Sequence, residues 1–205
     1  MHWKIFVLVL LTMNLYGYSQ DLYQDHYSNK VLKAEGKKLS GVKEGEWKYY
    51  YPSGQLMALE FFVNGSLHGR VEYYYSNKSV QAIENWREGL LQDSSWYFHD
   101  NGSLERKGKY TNSQYDGQWK YFFKNGKPQR LVNYSNGLPE GEVLIYNEHG
   151  ILSQKGSYKE GKEHGYWEFY NESGHLEYSG NYQNGKRVGE WFRYDKKGKK
   201  RPWKY

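Results

Sequence analysis

The chain has no cysteine, only four prolines among 205 residues, and no apolar run long enough to cross a bilayer. Without cysteine, disulfides, thiolate metal centres, thiol catalysis and lipid attachment at a cysteine after a leader are all excluded. So little proline, beside so many rings, excludes a disordered linker. Aliphatic residues are scarce too: aromatics make up 19% of the chain, half of its 38% hydrophobic complement, so burial must rest largely on rings. What abounds is tyrosine and glycine, 23 of each, a composition suited to many short strands joined by tight turns.

The net charge of +6 is unevenly placed. Of 29 basic residues, one is Lys4 and six lie in the last ten positions, which leaves 22 basic against 23 acidic groups in the body. A nucleic-acid-binding face needs its basic excess on the body, so nucleic acid is an unlikely partner class. The basic end, Lys196, Lys197, Lys199, Lys200, Arg201 and Lys204, is the expected contact for an anionic surface such as a membrane. At the other end, Lys4, the apolar run Ile5–Met13 and Gly17-Tyr18-Ser19 have the layout of a signal peptide cleaved near Ser19-Gln20. The expected location is therefore outside the cytoplasm, in the periplasm, in the envelope or secreted.

From residue 45 onward the sequence repeats every 24 residues without insertion or deletion. Gly45, Gly69, Asp93, Gly117, Gly141, Gly165 and Gly189 open successive copies. Nine residues later stand Gly54, Gly102, Gly126, Gly150, Gly174 and Gly198, with Lys78 the exception; twenty residues later stand Gly65, Gly89, Gly137, Gly161 and Gly185, with Ser113 the exception. A fixed period of this length marks a stacked array. Residues 20–44 align as an eroded copy, expected to cap the array at 45–198, with 199–205 as a basic tail.

Each copy has two strand-like segments, such as Glu46–Tyr50 and Gln55–Phe62, separated by hairpin-turn residues, and Asn64-Gly65, Asn136-Gly137 and Asn184-Gly185 mark the opposite turns. The predicted fold is all-β: tandem 24-residue β-hairpins forming an elongated, curled, single-layer antiparallel meander. Alternation puts Trp47 with Tyr49, Trp119 with Tyr121, and Trp167 with Phe169 on one face. A four-residue turn would set Tyr49 opposite Leu56, Tyr97 opposite Leu104 and Phe169 opposite Leu176. Gly108, Gly156 and Gly180 recur on the second strand of that face and are expected to let a ring lie on the backbone. Tyr50, Tyr74, Phe98, Phe122, Tyr146 and Tyr170 fall on the other face and are the expected partner contacts.

The pattern Gly-x-Trp-x-x-Tyr-Tyr-x-x-Gly-x-Leu, then an aromatic, then Asn-Gly-x-x-x-Gly resembles the bacterial MORN-variant repeat, found in YwqK-like antitoxin components. The resemblance covers about 41–198. Val71, Ser95 and Val143 depart from it at the Trp position, and Lys78 at a Gly position. It implies a scaffold for protein contacts, a lipid-binding role in some members, and for the antitoxin type a toxin to neutralise.

No catalytic constellation stands out. His68 and His164 share a repeat position four copies apart, too far to share a metal. His149 and His175, near Glu148 and Glu177 at neighbouring tips, read as solvated turn residues. Glu46, Glu142 and Glu190 recur with the repeat, whereas a catalytic pair is needed once. No enzyme activity, metal or cofactor is expected. The expected function is an exported, non-enzymatic binding or scaffolding surface for a protein partner. The alternatives are a toxin-neutralising protein and an envelope-associated module that binds lipid or glycan.

Overall fold

The computed structural model describes residues 20–204; the leader expected at 1–19 lies outside them. The described residues form eighteen strands in one antiparallel sheet. It is a meander from Gln20–His26 on Leu32–Leu39 to Lys186–Tyr194 on Lys200–Trp203, in which Ser66–Leu67 with Gly69–Tyr74, and Leu90–Leu91 with Asp93–Phe98, are two pieces of one interrupted strand, each couple pairing with the strand before it.

Two loops alternate along it. Asn-Gly turns put both central residues in the left-handed region, as at Asn64 (φ 50°) and Gly65 (φ 78°). That pairing matches the twist of the strands it joins. Asn112 and Ser113 do the same at φ 49° and 62°, so the exceptional serine keeps the turn. The opposite loop spans five residues, 51–55 in the first full copy. It is closed by Tyr51 N–H to the Gln55 carbonyl and Gly54 N–H to the Tyr51 carbonyl, both at 2.8 Å.

This five-residue loop corrects the expected pairing. The register shifts between Tyr49 and Tyr50, so Tyr49 faces Ala58 while Tyr50 faces Leu56. Likewise Tyr97 faces Arg106, and Phe169 faces Tyr178. The glycine that opens each copy is also not a turn. Gly45 (φ 69°) sits inside the strand Val42–Tyr50, in a bulge where Gly36 pairs with Trp47 but Lys37 pairs with Glu44. Beside that bulge the Trp47 indole N–H donates to the Lys37 carbonyl at 3.0 Å, and Trp119, Trp167 and Trp191 repeat the bond ten residues back.

The core lies on one face. Trp47, Val71, Trp119, Val143, Trp167 and Trp191 are each at most 2% exposed, and the register puts them on the same side as Ala58, Ala82 and Val132. An indole burying about 200 Å² is worth on the order of 5 kcal/mol of transfer free energy, so four of them dominate the apolar burial. The glycine expectation holds. A Cβ on Gly108, Gly156 or Gly180 would come within 2.1–2.6 Å of the ring of Trp119, Trp167 or Trp191, and Gly36 bears the same relation to Trp47.

The end of the chain departs from the expected tail. Lys200–Trp203 is the last strand, paired with Trp191–Tyr194. Trp203 packs on Trp191 and Tyr178, with ring centroids 6.2 and 4.7 Å away. Trp191 thereby gains the cover that the next copy supplies elsewhere.

Candidate interaction surface

The face opposite the tryptophans carries the expected contact residues. Tyr50, Tyr74, Phe98, Phe122, Tyr146 and Tyr170 are all half-buried. Three of their hydroxyls donate to carboxylates of the same face: Tyr50 to Glu35 at 2.7 Å, Tyr170 to Glu168 at 2.8 Å, and Tyr74 to Glu72. Burial, then the hydrogen bond to the carboxylate, pushes each of these three phenols up to about 12. Tyr194 continues the row with a 3.0 Å bond to the Ser179 hydroxyl. Its place 24 residues after Tyr170 was the signal that could have found it.

The row is held rigidly, because its own backbone carbonyls are acceptors. Tyr27 donates to the Tyr50 carbonyl, Tyr51 to that of Tyr74 and Tyr75 to that of Phe98, each at 2.8 Å. His99 Nε2 meets the Phe122 carbonyl at 3.0 Å; a carbonyl can only accept, so this nitrogen carries the proton. Asparagines two residues farther on stitch neighbouring tips, as Asn77 to the Asp100 carbonyl at 2.8 Å and Asn101 to that of Lys124 at 3.0 Å.

A second row crosses the middle of the same face. Successive registers align Ile83 with Trp96, Trp96 with Lys107, Lys107 with Lys120, Lys120 with Leu131, and Leu131 with Leu144. Sequence reasoning missed this row, since neighbours in it are about a dozen residues apart and only the observed register joins them.

The six basic residues of the C-terminal end are divided in their engagements. The Lys200 ammonium sits 3.5 Å over the Phe192 ring, and Arg201 reaches Asp195 at 3.9 Å. The backbone N–H groups of Lys199 and Lys197 donate to Asp195, which holds its carboxyl below the usual range. Lys196 and Arg201 border a cleft of about 810 Å³ with His175, Tyr194 and Trp203. Lys204 is exposed beyond the last strand. Among the described residues, no three His, Cys, Asp or Glu side chains are grouped to hold a metal ion.

A family model for the MORN repeat variant matches residues 43–64, 67–88, 115–136, 139–160 and 163–184, more than half of the chain. The unmatched stretch between the second and third matches contains Ser95, where the Trp position is lost. No curated protein matches the sequence. Among solved structures, the chain is similar to chains in the crystal structures of TcdB2-TccC3-Cdc42 and of TcdB2-TccC3. Each is 12% identical at a TM-score of 0.20, with 84% of this chain and 13% of that chain covered. This chain thus spans about 13% of their length.

Proposed function

This chain belongs to the MORN repeat variant family, whose repeats form binding and scaffolding modules, and on that premise we propose that it is an exported, non-enzymatic scaffold for a protein partner. The observation that carries this reading is the contrast between its faces. Trp47, Trp119, Trp167 and Trp191 are sealed on one side with Val71, Val132 and Val143, while half-buried rings recur in every full copy on the other. A rigid row of such rings loses little side-chain entropy on contact, which suits protein recognition.

The test is affinity capture with residues 20–205 from the native envelope fraction, wild type against a Phe98→Ser, Phe122→Ser double variant. A discrete partner captured by the wild type and lost with the variant, at unchanged strand content, is the expected result. Capture that ignores the variant overturns the assignment of this face. The same surface would serve toxin neutralisation, and growth rescue on co-expression with a neighbouring toxin-like reading frame would establish it. Lipid or glycan contact through Lys196, Lys197, Lys199, Lys200, Arg201 and Lys204 is tested by Lys-to-Gln exchange rather than truncation, since truncation would uncover Trp191.

A further inference from the structure

We propose that the centre of the outer face, built around Lys107 and Lys120, takes an acidic peptide segment in which carboxylates stand between apolar side chains. The proposal rests on the scaffold reading above and names the chemistry of its partner.

Lys107 and Lys120 are directly cross-strand neighbours on one face. Like charges in that relation destabilise a sheet unless something neutralises them. In two other copies the residue after the opening glycine supplies the neutralising group on this face: Glu46 pairs with Lys48 at 3.1 Å and Glu142 with Lys155 at 3.4 Å. In the two copies that carry Lys107 and Lys120, that position holds Ser94 and Gln118 instead. Other nearby carboxylates are engaged. Glu105, two residues along the strand, bonds Arg106 at 3.0 Å, and Asp116, opposite Lys109, accepts from Thr111 at 2.9 Å. The lysines border a shallow depression of about 300 Å³ together with Ser94, Trp96, Lys109 and Gln118.

The flanks select among anions. Ile83 and Trp96 lie on one side of the lysine pair, Leu131 and Leu144 on the other, in the same row. A ligand that matches the row must be apolar, then anionic, then apolar again across about three strand spacings, roughly 15 Å. A peptide offers that alternation. A phosphodiester chain offers charge without aliphatic flanks, and the nearly neutral body gives it no wider field to follow.

The test is selection of an unbiased displayed-peptide library on residues 20–205, in parallel with a Lys107→Glu, Lys120→Glu double variant. Selected peptides are expected to place Asp or Glu between apolar residues. Their affinity is expected to fall with added salt and by about tenfold or more on the variant. The variant is also expected to melt no lower than wild type, because it removes no buried contact, so lost binding cannot be put down to unfolding. Peptides without acidic enrichment, or equal affinity on the variant, overturn the proposal and leave the scaffold reading standing. No enrichment over background on the wild type sinks both. Tighter binding of a single-stranded oligonucleotide, or of phosphatidylglycerol vesicles, that is lost in the same variant also overturns it.

Discussion

Two kinds of register run through the core. In four, an indole lies on a bare glycine of the preceding strand: Trp47 on Gly36, Trp119 on Gly108, Trp167 on Gly156 and Trp191 on Gly180. In the other three, the same two repeat positions hold Val71 with Glu60, Ser95 with Glu84, and Val143 with Val132. Wherever the indole is absent the glycine is absent too. The pair is the unit of packing, and each repeat can take either form because the change is confined to one strand boundary. In the second kind a buried carboxylate can occupy the inner face: Glu84 is 9% exposed and accepts from Trp86 at 3.1 Å and Tyr97 at 2.7 Å.

The sharpest way to break this comparison is to convert one register into the other. Gly156→Val drives a side chain into Trp167 and is expected to cost about 3 kcal/mol, while Trp167→Val alone costs about 3–5 kcal/mol. The double variant recreates the pair found at Val132 and Val143. Its loss is expected to fall short of the summed single losses by about 1–3 kcal/mol. Urea unfolding measures all three, and strict additivity would show that the two positions do not pack as a unit.

A smaller effect is expected at Glu84. Glu84→Leu strands the indole N–H of Trp86 and leaves the Tyr97 phenol only its 3.3 Å bond to the Tyr110 hydroxyl, at a cost of about 1–3 kcal/mol, whereas Glu84→Gln keeps an acceptor and loses less. Equal thermal stability of Glu84→Leu and wild type would mean that the carboxylate is tolerated rather than used.

The smallest effect sharpens the contrast between the faces. Tyr50, Tyr74 and Tyr170 have folded values near 12, above the ordinary phenol value of about 10. Their contribution to stability is therefore complete below pH 10 and declines as pH rises from 10 towards 12. Absorbance at about 295 nm during alkaline titration, run beside melting curves, should show a second tyrosine class ionising near pH 12 as the melting temperature falls. A single transition near 10 with flat stability would contradict both the carboxylate bonds on the outer face and the burial that pushes inner-face phenols such as Tyr49 and Tyr121 higher still.

Much of this architecture was legible in the residues. The 24-residue spacing gave the array, Asn64-Gly65 and its relatives gave the two-residue turns, and the recurrence of Gly108, Gly156 and Gly180 pointed to rings on backbone. The pairing of Tyr49 with Ala58 was not legible, because a four-residue and a five-residue loop leave similar sequences and differ only in where the bulge falls. The bulge at Gly45 hid for the same reason: a glycine with positive φ looks alike in a turn and within a strand. The outer contact row could be read from its period. The juxtaposition of Lys107 and Lys120 could not, since it exists only once the strands are in register.

The meander has a kinetic consequence as well. Most all-β folds wait for distant segments to meet, and the entropy of closing long loops slows them. Here, apart from the one-residue breaks at His68 and Gln92, successive strands are joined by two-residue turns or five-residue loops, and the ladders join neighbours along the chain. One finished hairpin can template the next, and a copy at either end can open while those behind it stay closed. The chain should thus assemble and come apart like a zipper rather than like a globule.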